Sequence, residues 1–222
     1  MSDNTSKFDE FEKLKEFEAL DLNNLLFEIW FKPKLVFTYL KKRAPTQYVQ
    51  LLLIISALTT TFERVIPKNI GWDANGLGYF FGMLIFGAIL TLGVYHFSAW
   101  FLHYFGRAFL NGNASTKDFR MVIAWSNIPI IASTILSILL LIIYGPNALS
   151  DNFFPTSETV RIVYITVAII EIVIAIWSMV ITVIGIMVIQ NFNVGKAIGN
   201  VLLPMFLVIL IFIIVFKIGG IL

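Results

Sequence analysis

The chain has no cysteine and only two histidines. Without a thiol there can be no disulfide, thiolate-held metal, cysteine nucleophile or palmitoyl anchor. The two histidines, His96 and His103, stand seven residues apart. On a helix that is two turns, about 10 Å along the axis, too far for one metal ion, and no second ligand type is near in sequence. Charge is scarce as well: 14% of residues are charged, where a soluble domain has about a quarter. There is no HExxH, no GxSxG and no phosphate-binding glycine loop. No basic surface interleaved with aromatics suggests nucleic acid. These absences leave no catalytic set, and neither enzymatic activity nor a cofactor or metal is expected.

What is abundant is apolar length. The sequence is 58% apolar, with runs of some twenty residues nearly free of charge, each long enough to cross the hydrocarbon core of a bilayer. Lipid cannot satisfy an open backbone, so only helices or a closed barrel can span it. The runs are continuous and not alternating, which excludes barrel strands. The expected fold is all-α: a polytopic membrane protein with five transmembrane helices, at roughly 47–66, 77–102, 120–144, 160–189 and 198–219, preceded by N-terminal amphipathic and interfacial helices in a segment 1–46. That segment is charged from its start and is not a secretory signal peptide. Twelve of the 16 Lys and Arg residues lie on the side of the N-terminus and four on the other. The positive-inside rule therefore predicts a cytoplasmic N-terminus and an outside C-terminus.

Within the first segment, Phe8, Phe11, Leu14 and Phe17 recur every three residues among acids and lysines, an amphipathic pattern. In EIWFKPKLVFTYLKKR, Pro33 suits a first helical position. Leu35, Val36, Tyr39 and Leu40 then share a face flanked by lysines, as in a helix lying in the headgroup layer. Further on, Ser115-x-x-Asp118 reads as a capping box after the turn Asn111-Gly112-Asn113. Trp30, Trp100 and Trp125 are expected near the inner interface and Trp72 near the outer one.

Glu171 is the sharpest candidate, since a carboxylate near mid-membrane is a functional hypothesis by default. Tyr164, Ala168, Glu171, Ala175, Ser178, Thr182 and Gly185 are spaced to form one small and polar stripe, the composition of a helix–helix contact. The residues support either a proton or cation site or a buried carboxyl hydrogen-bonded to a neighbour. Asn127 with Pro129, and Asn200 with Pro204, sit in the inner parts of their helices. A proline frees a carbonyl one turn back, which a neighbouring polar group can take. These pairs are therefore either packed kinks or broken helices facing a shared site. His96 shares a face with Gly78, Gly82 and Gly93, suited to close helix contact within the chain or in a homo-oligomer.

Four stretches together resemble the Yip family, five-span membrane proteins named for interaction with Ypt/Rab GTPases. They are IWFKPKLVFTYL, RAFLNGNASTKDFRMVIAWSNIPI, IWSMVITVIGI and NFNVGKAIGNVLLP, and they cover most of residues 28–210. The resemblance implies a five-helix fold, a cytoplasmic N-terminus and no enzymatic activity. Eukaryotic members are linked to vesicle trafficking and Rab binding. The family's aspartate-leucine-tyrosine-glycine-proline motif is missing from this N-terminal segment, which is also short. That points to the prokaryotic branch, in a cell membrane, and away from a small GTPase as partner. The expected function is a membrane-organising or partner-binding scaffold that meets the bilayer and a protein partner at its cytoplasmic face. The alternative is a small transporter or channel using Glu171.

Overall fold

The computed structural model describes residues 20–21, 24–65, 74–145 and 157–218. The amphipathic pattern of residues 5–20 and the placement of Trp72 lie essentially outside these. The described residues form α1 (Leu25–Phe31), α2 (Pro33–Arg43), α3 (Val49–Val65), α4 (Ala74–Leu110), α5 (Thr116–Ser126), α6 (Ile128–Tyr144), α7 (Glu158–Gln190) and α8 (Val194–Ile218). Four helical stretches are long and apolar enough to cross a membrane: 78–110, 116–144 (α5 running into α6), 158–190 and 194–214. Helix α3 has 17 residues, about 25 Å at 1.5 Å each, and carries Glu63 and Arg64 in its last turn.

Local chemistry sets the boundaries. Pro33 starts α2, where its missing N–H costs no helical bond. Asn111 leaves α4 with φ 59° and Asn191 leaves α7 with φ 54°, the left-handed conformation that asparagine tolerates best among non-glycine residues. The expected capping box opens α5. The Ser115 N–H donates to Asp118 Oδ2 at 2.7 Å, and the Asp118 N–H to Ser115 Oγ at 3.4 Å. Asn193 caps α8 with a single side-chain bond, accepting the Lys196 N–H at 2.9 Å.

Helix α5 is the hub. All six residues from Met121 to Ser126 are buried, and α1, α3, α4 and α7 pack around it. Helix α3 contributes Val49, Leu52, Leu53, Ser56, Ala57, Thr61 and Val65, a single face at helical spacing. Leu51, Ile54 and Leu58 on its other side are exposed, as lipid-facing residues would be. Helix α8 completes the bundle against α4 and α7.

The N-terminal helices pack on this core. Helix α2 lies against α7, burying Val36, Phe37 and Leu40, and α1 buries Leu25 and Ile29 against the bundle. Trp125 departs from expectation: it is 0% exposed and donates from Nε1 to the Gln47 carbonyl at 3.3 Å. It is a core residue and not part of an aromatic belt, because the turn at 45–48 folds over it. Trp100 does face outward, half exposed.

Candidate functional site

Among the described residues, three polar clusters within the apolar bundle hold most of the candidates singled out from the sequence. The first sits where α5 gives way to α6. The helix stops at Ser126, turns at Asn127 and restarts with Pro129 in its first turn. Ser178 of α7 donates its hydroxyl to the Ser126 carbonyl at 2.6 Å, bracing the break from the neighbouring helix. Thr182 spends its hydroxyl on the Ser178 carbonyl at 2.9 Å. The Asn127 side-chain nitrogen is enclosed without a protein partner. One turn onward, Gly185 lies against Val122 of α5 and Phe37 of α2. The structure thus brings Ser178 to the break formed at Asn127 and Pro129, while Thr182 bonds within its own helix.

The small and polar stripe is most deeply buried along this inner part. Ser178 and Gly185 are buried, whereas Ala168 and Ala175 are exposed. Gly78, Gly82 and Gly93 meet no atom within 4 Å of a notional Cβ, so among the described residues these glycines make no close helix contact. His96 is half-buried beside it and bonds its own helix, with Nδ1 2.9 Å from the Leu92 carbonyl.

The second cluster ties the turns together at the same end of the bundle. Asn200, 0% exposed, donates from Nδ2 to the Leu102 carbonyl at 2.9 Å. Gln190 accepts the Ala114 N–H at 2.9 Å, and His103 Nδ1 meets the Ala114 carbonyl at 2.8 Å. Gly106 and Gly112 lie flat against these amides. A Cβ at Gly106 would come within 2.7 Å of both Asn200 Oδ1 and Gln190 Nε2, two buried atoms with no protein partner. Pro204 stays inside α8, four residues after Asn200. Sequence reasoning missed Gln190, because a polar residue at the end of a span reads as solvated. It missed Gly106 and Gly112 because only the fold shows what they touch.

The third cluster lies toward the opposite end and holds Glu171. Its Oε1 accepts the Ser137 hydroxyl at 3.0 Å. On α3, Glu63 Oε1 accepts the Thr134 hydroxyl at 2.7 Å. Thr134 and Ser137 lie one turn apart on α6. Glu63 was also missed; beside Arg64 at the end of a span it reads as an interfacial residue. Glu171 stands apart from the Ser178–Asn127 and Asn200 clusters, so the sequence candidates form separate structural ties and not one site.

The end carrying the second cluster is basic. Lys34, Lys41, Lys42, Arg43, Arg107, Lys117, Arg120 and Lys196 stand there on α2 and the ends of α4, α5 and α8. Lys41 reaches the C-terminus of α7, donating from Nζ to the carbonyls of Val188 at 3.0 Å and Ile189 at 2.9 Å. It thereby satisfies two acceptors that the helix end leaves open.

No curated protein and no solved structure matches the chain. A family model, the Yip1 domain, matches residues 27–216. That range runs from α1 to within a turn of the end of α8, taking in the basic end, all three polar clusters and every helix between. With most of its length matched, this multi-pass membrane protein belongs to the Yip1 family.

Proposed function

We propose that this protein is a non-enzymatic membrane scaffold whose working surface is the basic end of the bundle: residues 1–46 with loops 103–119 and 190–197. That end faces the cytoplasm of a prokaryotic cell, and α3 serves as the fifth span, which puts the C-terminus outside. The observation that supports this most is on α1. Leu25 and Ile29 are fully buried, yet Phe27 and Phe31 on the same short helix are 67% and 69% exposed, with ring centroids 5.2 Å apart. A docked helix that presents an aromatic pair beside lysines offers a rigid anchor of the kind that dominates protein contacts. The motif linked to small GTPases is missing, so a different protein partner is proposed. The open glycine face of α4 supports self-association as a further contact.

A photo-crosslinking residue at Phe31, in the full chain in native membranes, tests the surface. Discrete protein adducts that vanish with Phe27→Ser are expected; adducts to lipid alone would refute partner binding here. Orientation is checked by thiol labelling, since the chain has no cysteine. Asn113→Cys should be protected from an impermeant reagent in intact cells. The rival reading, transport with Glu171 as a proton or cation site, has no structural observation in its favour: the Glu171 carboxylate takes part in a helix-to-helix bond with Ser137. Flux in proteoliposomes that disappears in Glu171→Gln, with the fold intact, would overturn the scaffold reading.

A further inference from the structure

Helix α2 and the C-terminal end of α7 do not close completely. Between them lies a groove of about 530 Å³. Its polar side holds Lys34, Lys41 and Lys42, and its apolar side Met187, Val188 and Phe192. Lys41 is fixed by the α7 carbonyls, so one of the three ammonium N–H groups remains for another acceptor. Those bonds also cover the negative end of the helix, which would otherwise repel an anion from the groove. The Thr38 hydroxyl is spent on the Lys34 carbonyl at 2.7 Å, and beside the Asn191 amide the rest of the polar wall is lysine.

The apolar wall does not stop at the groove. At steps of three and four residues, Met187 is followed by the half-buried Val183 and then by Val180, Met179 and Ile176. These last three are exposed at 37%, 48% and 60%. In a protein embedded in a bilayer, that stripe runs from the headgroup layer into the acyl region. A soluble anion would use the lysines and leave the stripe bare. A phospholipid uses both, with its phosphate among the ammonium groups and a chain along α7.

We propose that the α2–α7 groove is a binding site for an anionic glycerophospholipid, with Lys34, Lys41 and Lys42 holding the headgroup phosphate and Met187, Val183 and Val180 receiving an acyl chain. The site is independent of the scaffold reading, because it needs only membrane insertion. Bound lipid bridges the N-terminal helix to the bundle and makes the docking of α2 sensitive to lipid composition.

The test is native mass spectrometry of the full chain in detergent, titrated with phosphatidylglycerol and, separately, with phosphatidylcholine. Phosphatidylglycerol should bind more tightly. A basic residue near an anionic headgroup is worth about 1 kcal/mol. Lys34→Gln and Lys42→Gln should therefore each weaken phosphatidylglycerol roughly fivefold, and about thirtyfold together. The Lys34→Arg/Lys42→Arg pair should retain binding. Lys117→Gln removes one charge from the same end, outside the groove, and should change nothing. Phosphatidylglycerol affinity unaltered by the double glutamine variant overturns the site. So does an equal loss from Lys117→Gln, which would mean diffuse attraction. Inorganic phosphate binding as tightly as phosphatidylglycerol would assign the lysines to a soluble anion and overturn the lipid.

Discussion

Replacing one hydrogen at Gly185 should loosen the protein, against the ordinary preference of helices. In a helix interior, glycine to alanine is favourable by up to about 1 kcal/mol. At Gly185, however, the new Cβ would lie 2.7 Å from Val122 Cγ1 and 3.0 Å from two atoms of the Phe37 ring. Neither neighbour can swing aside. Val122 is 1% exposed and Phe37 0%, and a valine in a helix has essentially one rotamer. Overpacking of this kind costs about 1–3 kcal/mol, so Gly185→Ala should come out about 1–2 kcal/mol less stable. The assay is equilibrium unfolding in mixed micelles, followed by tryptophan fluorescence, with the buried Trp125 as one reporter. A Val122→Ala background removes the nearer clashing atom, so the cost of Gly185→Ala should fall there by about 1 kcal/mol, within the usual range of coupling between contacting residues. If Gly185→Ala stabilises the protein, or costs the same with and without Val122→Ala, α2, α5 and α7 do not converge as described.

The other ties should answer to similar measurements. Asn200→Ala removes the bond to the Leu102 carbonyl and should lower stability by about 1–3 kcal/mol, read as a lower denaturant midpoint. Ser178→Ala uncovers the Ser126 carbonyl at the α5–α6 break. Hydrogen bonds between membrane helices average about 0.6 kcal/mol, so a small loss is expected, and amide exchange at residues 126–131 should accelerate more than elsewhere. Lys41→Met abandons two α7 carbonyls and should cost about 1 kcal/mol. Limited trypsin digestion at Arg43 should quicken as α2 undocks.

Much of the fold was legible because membrane insertion and capping are written locally. Apolar length marked four of the five expected spans as helices able to cross a membrane, and the Ser115–Asp118 pair gave the start of α5 within a residue. What hydropathy cannot encode is which apolar side chain faces protein and which faces lipid, since both environments accept the same residues. Trp125 is an example: its place near the end of a span suggested an interface, but the turn at 45–48 covers it. The glycines divide in the same way. Gly78, Gly82 and Gly93 share a sequence face and meet no neighbour among the described residues, whereas Gly106, Gly112 and Gly185 are contact points with no shared pattern. Glu171 could be picked out by its depth alone, but Glu63 could not, because only the packing of α3, α6 and α7 reveals a second carboxylate near the first.

The two asparagine–proline pairs show how far spacing alone determines an outcome. In both, proline removes the N–H that would bond the carbonyl four residues back. Pro129 follows Asn127 by two, so the asparagine falls where the helix must turn. Pro129 then sits in the first turn of α6, where a missing donor is harmless, and the chain resolves the conflict by breaking. Pro204 follows Asn200 by four, which makes the Asn200 carbonyl the one left without its helical donor. Here α8 continues through the proline, and the Asn200 side chain is committed sideways to the Leu102 carbonyl of α4. One pair therefore ends a helix and the other pins an unbroken one. Shifting Pro204 two residues earlier, as Leu202→Pro/Pro204→Leu, should convert the second arrangement toward the first. Asn200 would lose its bond to α4, and a cysteine crosslink between Leu102 and Asn200 neighbours, efficient in the parent, should fail. Retention of that crosslink would mean that tertiary packing, and not proline spacing, holds α8 straight.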